Sequence, residues 1–538
     1  MKHLRKALCV LLALSLLAVG FLTPVGASTA LTADTSYTAQ EKAEHSFYRI
    51  VDKLIDMLGK VLNFFIPGLN WTGRISKTAD TPDSFMGEAP FDRTVKDGAG
   101  WRMGFADASL IDELDVMDGS YYLAGSLEAV NGRVPTKVID DQRVSVYALS
   151  DGVNGTVVHA VLDGYGFARG DVLKLRGRVA DFAERNGVTA INVSVLHQHS
   201  CIDILGLSAP LLPALVKNPA LSLFRSDGEG LSGKNAVFME NLFTVTADAI
   251  VRAVGNMREG TLSYGSADIT ELIHDKREPI TFDGLLHRLR FTPDDGGNEI
   301  WVCEAGMHCT GYGASADVLS GDYPYYLKQY VKEQTGADLV FVEGAELAIT
   351  TDYSTLQYDR DDETAFLKAM GKALGDKLIA IRNEIALDPV LNIKITEVSI
   401  KADNQVLILA VREGLINSVT VKDGLGYDIV TELGYMELGN KIGVMLAPGE
   451  LAPELLWGGV TPADRSWVGD GWTYPALADV APADTLLCFG LTNDQIGYVI
   501  PDNDIRSYLT ENEEITASST HAASALAEAF IALIASVG

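Results

Sequence analysis

The sequence predicts a large mixed α/β fold (α/β with α+β character), a mixed sheet carrying βαβ units within one large domain over residues 96–538. Three observations predict it. Residues 157–162 and 190–196 are β-branched, apolar runs, and residues 171–185 between them repeat apolar positions at helical spacing, which is a βαβ unit. Runs of strand and helix character keep alternating as far as residue 491. Histidines and turn residues collect just past the apolar runs, at the strand ends where such sheets present their functional groups.

The chain opens on a secretory signal peptide over residues 1–27. Lys2, Arg5 and Lys6 form its charged start, residues 7–19 its apolar core, and Val25, Gly26 and Ala27 its cleavage site. Export from the cell is therefore expected. Gly20 and Pro24 break the apolar run, against a retained anchor. The formal charge of −29 excludes nucleic-acid binding through phosphates, which needs a basic face, and suits a protein that takes a divalent cation. Four cysteines remain after Cys9 leaves, too few for a disulfide scaffold in 538 residues. Cys201 follows His199 by two residues and Cys309 adjoins His308, so convergent histidines would bring these sulfurs close, as a bonded pair, as thiolate ligands or as two separate buried thiols.

Residues 28–45 read as a polar leader. Residues 47–65 place apolar side chains at 47, 50, 51, 54, 58, 61, 62 and 65, a helical stripe ended by Pro67 and Gly68. This helix 47–65 either packs on the main domain or lies on a lipid surface, with Phe64, Phe65 and Trp71 at the interface. Residues 72–97 read as a linker. Strands are expected at 102–107 (around Gly104), 144–149, 285–291, 300–304, 337–342, 393–400, 405–411, 442–446 and 486–491. Helices are expected at 322–333, 363–382 and 524–535, the last too short to span a bilayer.

The organising stretch is the apolar run that leads into His197-Gln198-His199-Ser200-Cys201. At strand spacing His197 and His199 face one side and are able to hold a metal; the plainer alternative is two polar residues at a strand-to-loop junction. His308 sits in a similar place, in Gly306-Met307-His308-Cys309-Thr310. Catalytic zinc generally takes three protein ligands and keeps an open position, and a carboxylate completes such a set. Glu450, after an apolar run and Pro448-Gly449, offers one, unless it is an exposed turn residue. Asn493-Asp494-Gln495-Ile496-Gly497-Tyr498 has the same build, and Tyr498 is either part of the site or a packed aromatic.

The order His-x-His-Ser, Gly-x-His-x-Thr, Pro-Gly-Glu, Asn-Asp-x-x-Gly-Tyr resembles the neutral/alkaline ceramidase family, over nearly the whole of residues 96–538. The resemblance implies a zinc hydrolase that cleaves the amide of N-acylsphingosine or a related N-acyl lipid. It implies His197, His308 and Glu450 as Zn2+ ligands, with Tyr498 as a fourth ligand or at the metal's edge, and His199 as a catalytic group. Gly104 and Asp203 are placed on the substrate side. The chain departs from the family where it reads Cys-Ile-Asp-Ile-Leu-Gly in place of Gly-Pro-Gly after the His-x-His-Ser. It departs again where Gly344-Ala345-Glu346-Leu347-Ala348-Ile349-Thr350 replaces Gly-Ala-x-Gly-Asp-x-Ser, leaving Thr350 for the family's catalytic serine. The chain also stops where full-length members continue into a β-sandwich domain. A binding protein that keeps the fold without turnover is the alternative.

Overall fold

The computed structural model describes residues 38–65, 85–125, 132–210, 232–313, 316–508 and 512–538. The expected signal peptide and the first half of the expected linker lie outside them. The N-terminal helix α1 (Ala39–Phe65) begins well before residue 47, inside the stretch read as a leader. A capping box starts it: Glu41 N–H donates to Thr38 Oγ1 (3.2 Å), while Thr38 N–H donates to Glu41 Oε2 (2.7 Å). Its polar side faces the protein. His45 packs against Trp467 with the rings tilted and their centroids 5.0 Å apart, and Asp56 Oδ1 accepts from Gln405 Nε2 at 2.8 Å. Phe47, Ile50, Leu54, Met57, Leu58 and Val61 stand exposed on the other side.

The larger sheet contains β1 (Trp101–Ser109), β2 (Arg143–Ser150), β3 (Thr156–Leu162), β4 (Val188–Val195), β5 (Arg258–Asp268), β6 (Leu285–Pro293), β7 (Ile300–Ala305) and β8 (Asp338–Glu343). Its order is β8-β7-β6-β5-β1-β2-β3-β4, with Ile385–Leu387 added on β5. The two edge pairs, β3/β4 and β7/β8, are parallel and the pairs between them antiparallel. Each parallel pair needs a crossover, supplied by α2 (Arg169–Arg185) between β3 and β4 and by α4 (Asp322–Thr335) between β7 and β8. Helix α3 (Ala236–Gly255) covers β1 and β2. Helix α5 (Ala365–Ala380) lies against α4, and the sheet curls until β8 comes alongside β4. That curl brings two edges together whose strands are far apart in the pairing order.

The second sheet runs β9 (Leu391–Ala402), β10 (Gly426–Leu438), β11 (Ile442–Leu446), β12 (Thr485–Phe489), with β11 and β12 parallel. Helix α7 (Ala522–Val537) covers β9 and β10. Residues 405–411, expected as a strand, form helix α6 (Gln405–Arg412) instead. Asn404 caps it, its side chain accepting from the Val406 and Leu407 N–H groups, and this local cap outweighs the β-branched look of Val-Leu-Ile-Leu-Ala-Val. A buried charge cluster locks α2 to the second sheet: Arg176 donates to both oxygens of Glu432 at 2.9 Å, and Arg169 Nε donates to Oε1 at 3.1 Å. Paired this way, the ions are satisfied; removing one would leave a buried charge uncompensated.

Candidate metal centre

The site gathers where parallel strand pairs end. Two residues past β4, His197 adopts φ of +48°, a region that costs a non-glycine residue ~1–3 kcal/mol. Its surroundings hold it there: Nδ1–H donates to the Tyr165 carbonyl at 2.8 Å, and the Tyr165 ring stacks on the imidazole at 4.4 Å. Past β7, His308 is fixed in the same manner. Its backbone N–H (3.0 Å) and its Nδ1–H (2.8 Å) both donate to the Ile349 carbonyl.

Glu450 and Tyr498 follow β11 and β12 and pair directly in a short parallel bridge. Gly449 and Gly497 make that approach possible. Both have positive φ, and a Cβ would fall 2.4 Å from the Gly497 carbonyl oxygen in the first case and 1.7 Å from that of Thr516 in the second. The same loop is stitched to the larger sheet by Asn493 N–H to the Val193 carbonyl (2.7 Å) and Gly490 N–H to the Glu343 carbonyl (2.9 Å). Gln495 Nε2 donates to Glu450 Oε1 at 3.1 Å, so the carboxylate presents its other oxygen to the histidines.

Glu450 Oε2 lies 3.2 Å from His197 Nε2 and 3.4 Å from His308 Nε2. Because each Nδ1 spends its proton on a carbonyl, each Nε2 offers a lone pair. Two lone pairs and a carboxylate oxygen thus meet in a buried space, an arrangement that calls for a cation between them. His197 Nε2 and Glu450 Oε2 have no hydrogen-bond partner. Zinc fits these donors, and His197, His308 and Glu450 are the set that would hold it.

The electrostatics carry the same mark. Burial drives His197 down to about 3, against the pull of Glu450. Burial also works to lower His308, but the Glu346 and Glu450 carboxylates outweigh it and raise the imidazole to about 9. Burial works to raise Glu450, and His197, His308 and the Tyr498 hydroxyl bring it below its ordinary value.

Of the other expected site residues, His199 lies beside the group, its ring 4.8 Å from that of His197 and 6.0 Å from that of His308. Neither of its ring nitrogens has a partner, and burial holds it well below its ordinary pKa. Thr350 is half-buried, bridged to His308, with its hydroxyl 3.4 Å from that of Thr310. Two expected substrate groups are engaged elsewhere. A Cβ on Gly104 would fall 2.0 Å from the Ala253 carbonyl oxygen, so the glycine serves the close packing of β1 on the end of α3. Asp203 accepts from the backbone N–H groups of Leu205, Gly206 and Ser208, each at 2.8 Å, and so shapes its own loop. Cys201 and Cys309 are both free and buried; Cys201 Sγ donates to the Gln198 carbonyl, and Cys309 Sγ approaches Glu343.

The sequence reading passed over Glu346, which is fully buried at the centre. One donor atom from each of His197, His308, Glu346 and Glu450 lies within 4.8 Å of the others, as do donor atoms of His197, His199 and His308. The signal was present: Glu346 stands three residues past the end of a buried parallel strand.

A neutral ceramidase from Pseudomonas aeruginosa matches this architecture with a TM-score of 0.59 at 14% identity, over 81% of this chain and 74% of that one. The chain has the fold of a neutral ceramidase. A second solved structure, a ceramidase complexed with C2, matches with a TM-score of 0.55 at 14% identity, over 81% and 75% of the two chains. No protein-family model matches the sequence, and no curated protein does. The ceramidase fold is thus shared across a wide sequence distance, and what the present chain does must be argued from its own residues.

Proposed function

We propose that this chain is an exported, zinc-dependent hydrolase that cleaves the amide bond of an N-acyl lipid such as ceramide. The observation that carries the reading is the convergence of His197 Nε2, His308 Nε2 and Glu450 Oε2 in a buried space, the first and last of them without a hydrogen-bond partner. Bound zinc would lower the pKa of a water toward ~7 and polarise an amide carbonyl. The protein's own groups do the rest. His199, held neutral by burial, offers the reacting group one N–H and one lone pair, which suits proton transfer to the departing amine. The Thr350 hydroxyl, beside His308, would donate to the oxygen that gains charge, and the Tyr498 hydroxyl, which supports Glu450, would stand at the metal's edge.

The substrate class follows from the walls. A narrow cleft lined by Leu205, Leu207, Leu407, Val411, Ile416 and Ile429 also includes Tyr165, Gln495 and Glu450, so apolar surface runs directly to the metal group. That is a lining for an acyl chain. Leu407 and Val411 belong to α6, on which α1 packs with its apolar side turned out. The exposed stripe of α1 suits contact with the surface of a lipid bilayer, and places that contact close to the cleft.

The test is release of fatty acid from a panel of N-acyl lipids by the zinc-loaded protein. Cleavage of at least one is expected. A second reading, a lipid-binding protein without turnover, draws on Leu347 and Ala348, which stand where the resembled family has Gly-Asp; binding of those lipids without any cleavage would favour it.

A further inference from the structure

We infer that Glu346 is a further ligand to the metal, making the site a set of two imidazoles and two carboxylates. The inference rests on the metal reading above and adds a residue to it. Neither Glu346 oxygen has a hydrogen-bond partner, and the side chain is wholly buried. A buried carboxylate without donors is costly unless a cation or proton meets it. Its polar surroundings are His308, which favours the carboxylate, and the Glu343 and Glu450 carboxyls, which oppose it.

The backbone aims the side chain and pins it. Glu346 opens a turn closed by Ile349 N–H donating to the Glu346 carbonyl at 2.7 Å. The same Ile349 accepts both N–H groups of His308, and Leu347 N–H donates to the Leu451 carbonyl at 3.3 Å. One turn is therefore tied to the segment carrying His308 and to the segment carrying Glu450. Donor atoms around a single zinc stand up to ~4.4 Å apart, twice a metal–ligand distance of ~2.2 Å. One donor atom from each of His197, His308, Glu346 and Glu450 lies within 4.8 Å of the others, on the scale of that span.

A competing role is support of His308 from behind, since Glu346 Oε2 lies 3.3 Å from its Nδ1. That nitrogen already gives its proton to the Ile349 carbonyl at the shorter distance of 2.8 Å. The carboxylate is left with the interior of the site.

Cobalt(II) reports coordination through its visible bands, so the full chain is titrated with Co2+ as wild type and as Glu346→Gln. Loss of a ligand should raise Kd more than ~100-fold, beyond the 10–100-fold typical of an outer partner, and change the shape and intensity of the bands. Bands identical in the two proteins overturn the inference, whatever happens to Kd, because a residue behind His308 changes affinity without changing the donor set. Should Glu346→Gln fail to fold, Glu346→Asp is read instead: its shorter stem should shift the bands, and unshifted bands overturn the inference equally. Wild type that binds no Co2+ contradicts the metal reading itself, a failure distinct from a wild type whose bands do not depend on residue 346.

Discussion

His197 Nε2 and Glu450 Oε2 stand 3.2 Å apart, although one follows the edge strand of the larger sheet and the other a strand of the second sheet. Neither atom has a hydrogen-bond partner. The pair is held by Tyr165 on one side and Gln495 on the other. Glu450→Gln replaces the acceptor by a neutral amide of the same shape, so the fold should survive while the cation loses its charge partner. Zinc affinity, read by competition with a chromogenic chelator, should fall at least ~100-fold, with the melting temperature of the metal-free protein within a few degrees of wild type.

Thr350 offers a hydroxyl beside His308 but no nitrogen, carboxylate or thiolate. Thr350→Ala should therefore leave zinc affinity at the wild-type value and lower kcat by about tenfold or more. Equal losses in affinity and in kcat would place the hydroxyl in the metal's own surroundings.

Gly497 has φ of +81°, and an added Cβ would stand 1.7 Å from the Thr516 carbonyl oxygen. Gly497→Ala should destabilise by about 2–4 kcal/mol and displace the loop that carries Gln495 and Tyr498. Denaturant unfolding measures the first effect. A parallel drop in zinc affinity measures the second.

Helix α1 carries a pH dependence of its own. Burial, then the charges of Arg49 and Arg506, depress His45 to about 4 from an ordinary 6.5. Between those values the unfolded chain binds the proton and the folded one does not, so stability falls as pH drops from 6.5 toward 4 and is fully present above 6.5. Denaturation midpoints across that window should slope less in His45→Gln. On the outer side of α1, Phe47→Ser with Ile50→Ser should weaken cosedimentation with phosphatidylcholine vesicles while sparing turnover of a short-chain soluble substrate.

The strand ends were legible because apolar runs that stop at Asn-Gly, Pro-Gly or His-x-His carry their own boundaries; β3, β4, β7 and β8 fall within a residue or two of their expected limits. His197, His308, Glu450 and Tyr498 could be placed in order along the chain for the same reason. Their convergence depends on the curl that brings β8 beside β4, a property of the whole sheet that no local pattern encodes. Periodicity gave α1 its stripe but not the side that docks; buried partners such as Gln405 and Trp467 decide that, from more than 340 residues away. Strand β10 (Gly426–Leu438) was missed because it is buried along nearly its whole length and lacks alternation. Asp203 looked like site chemistry from its closeness to His199, yet a loop carboxylate serves its own turn equally well.

The most direct measurement is amide hydrolysis by one preparation carried through three states: as purified, after exhaustive chelation, and after return of one equivalent of Zn2+. Fatty-acid release from an N-acyl lipid is followed beside the metal content. Turnover should vanish with the metal and return with it in wild type, and His197→Ala should show neither bound zinc nor turnover in any state. Hydrolysis that persists at full rate in the chelated protein, or in His197→Ala, would contradict the account.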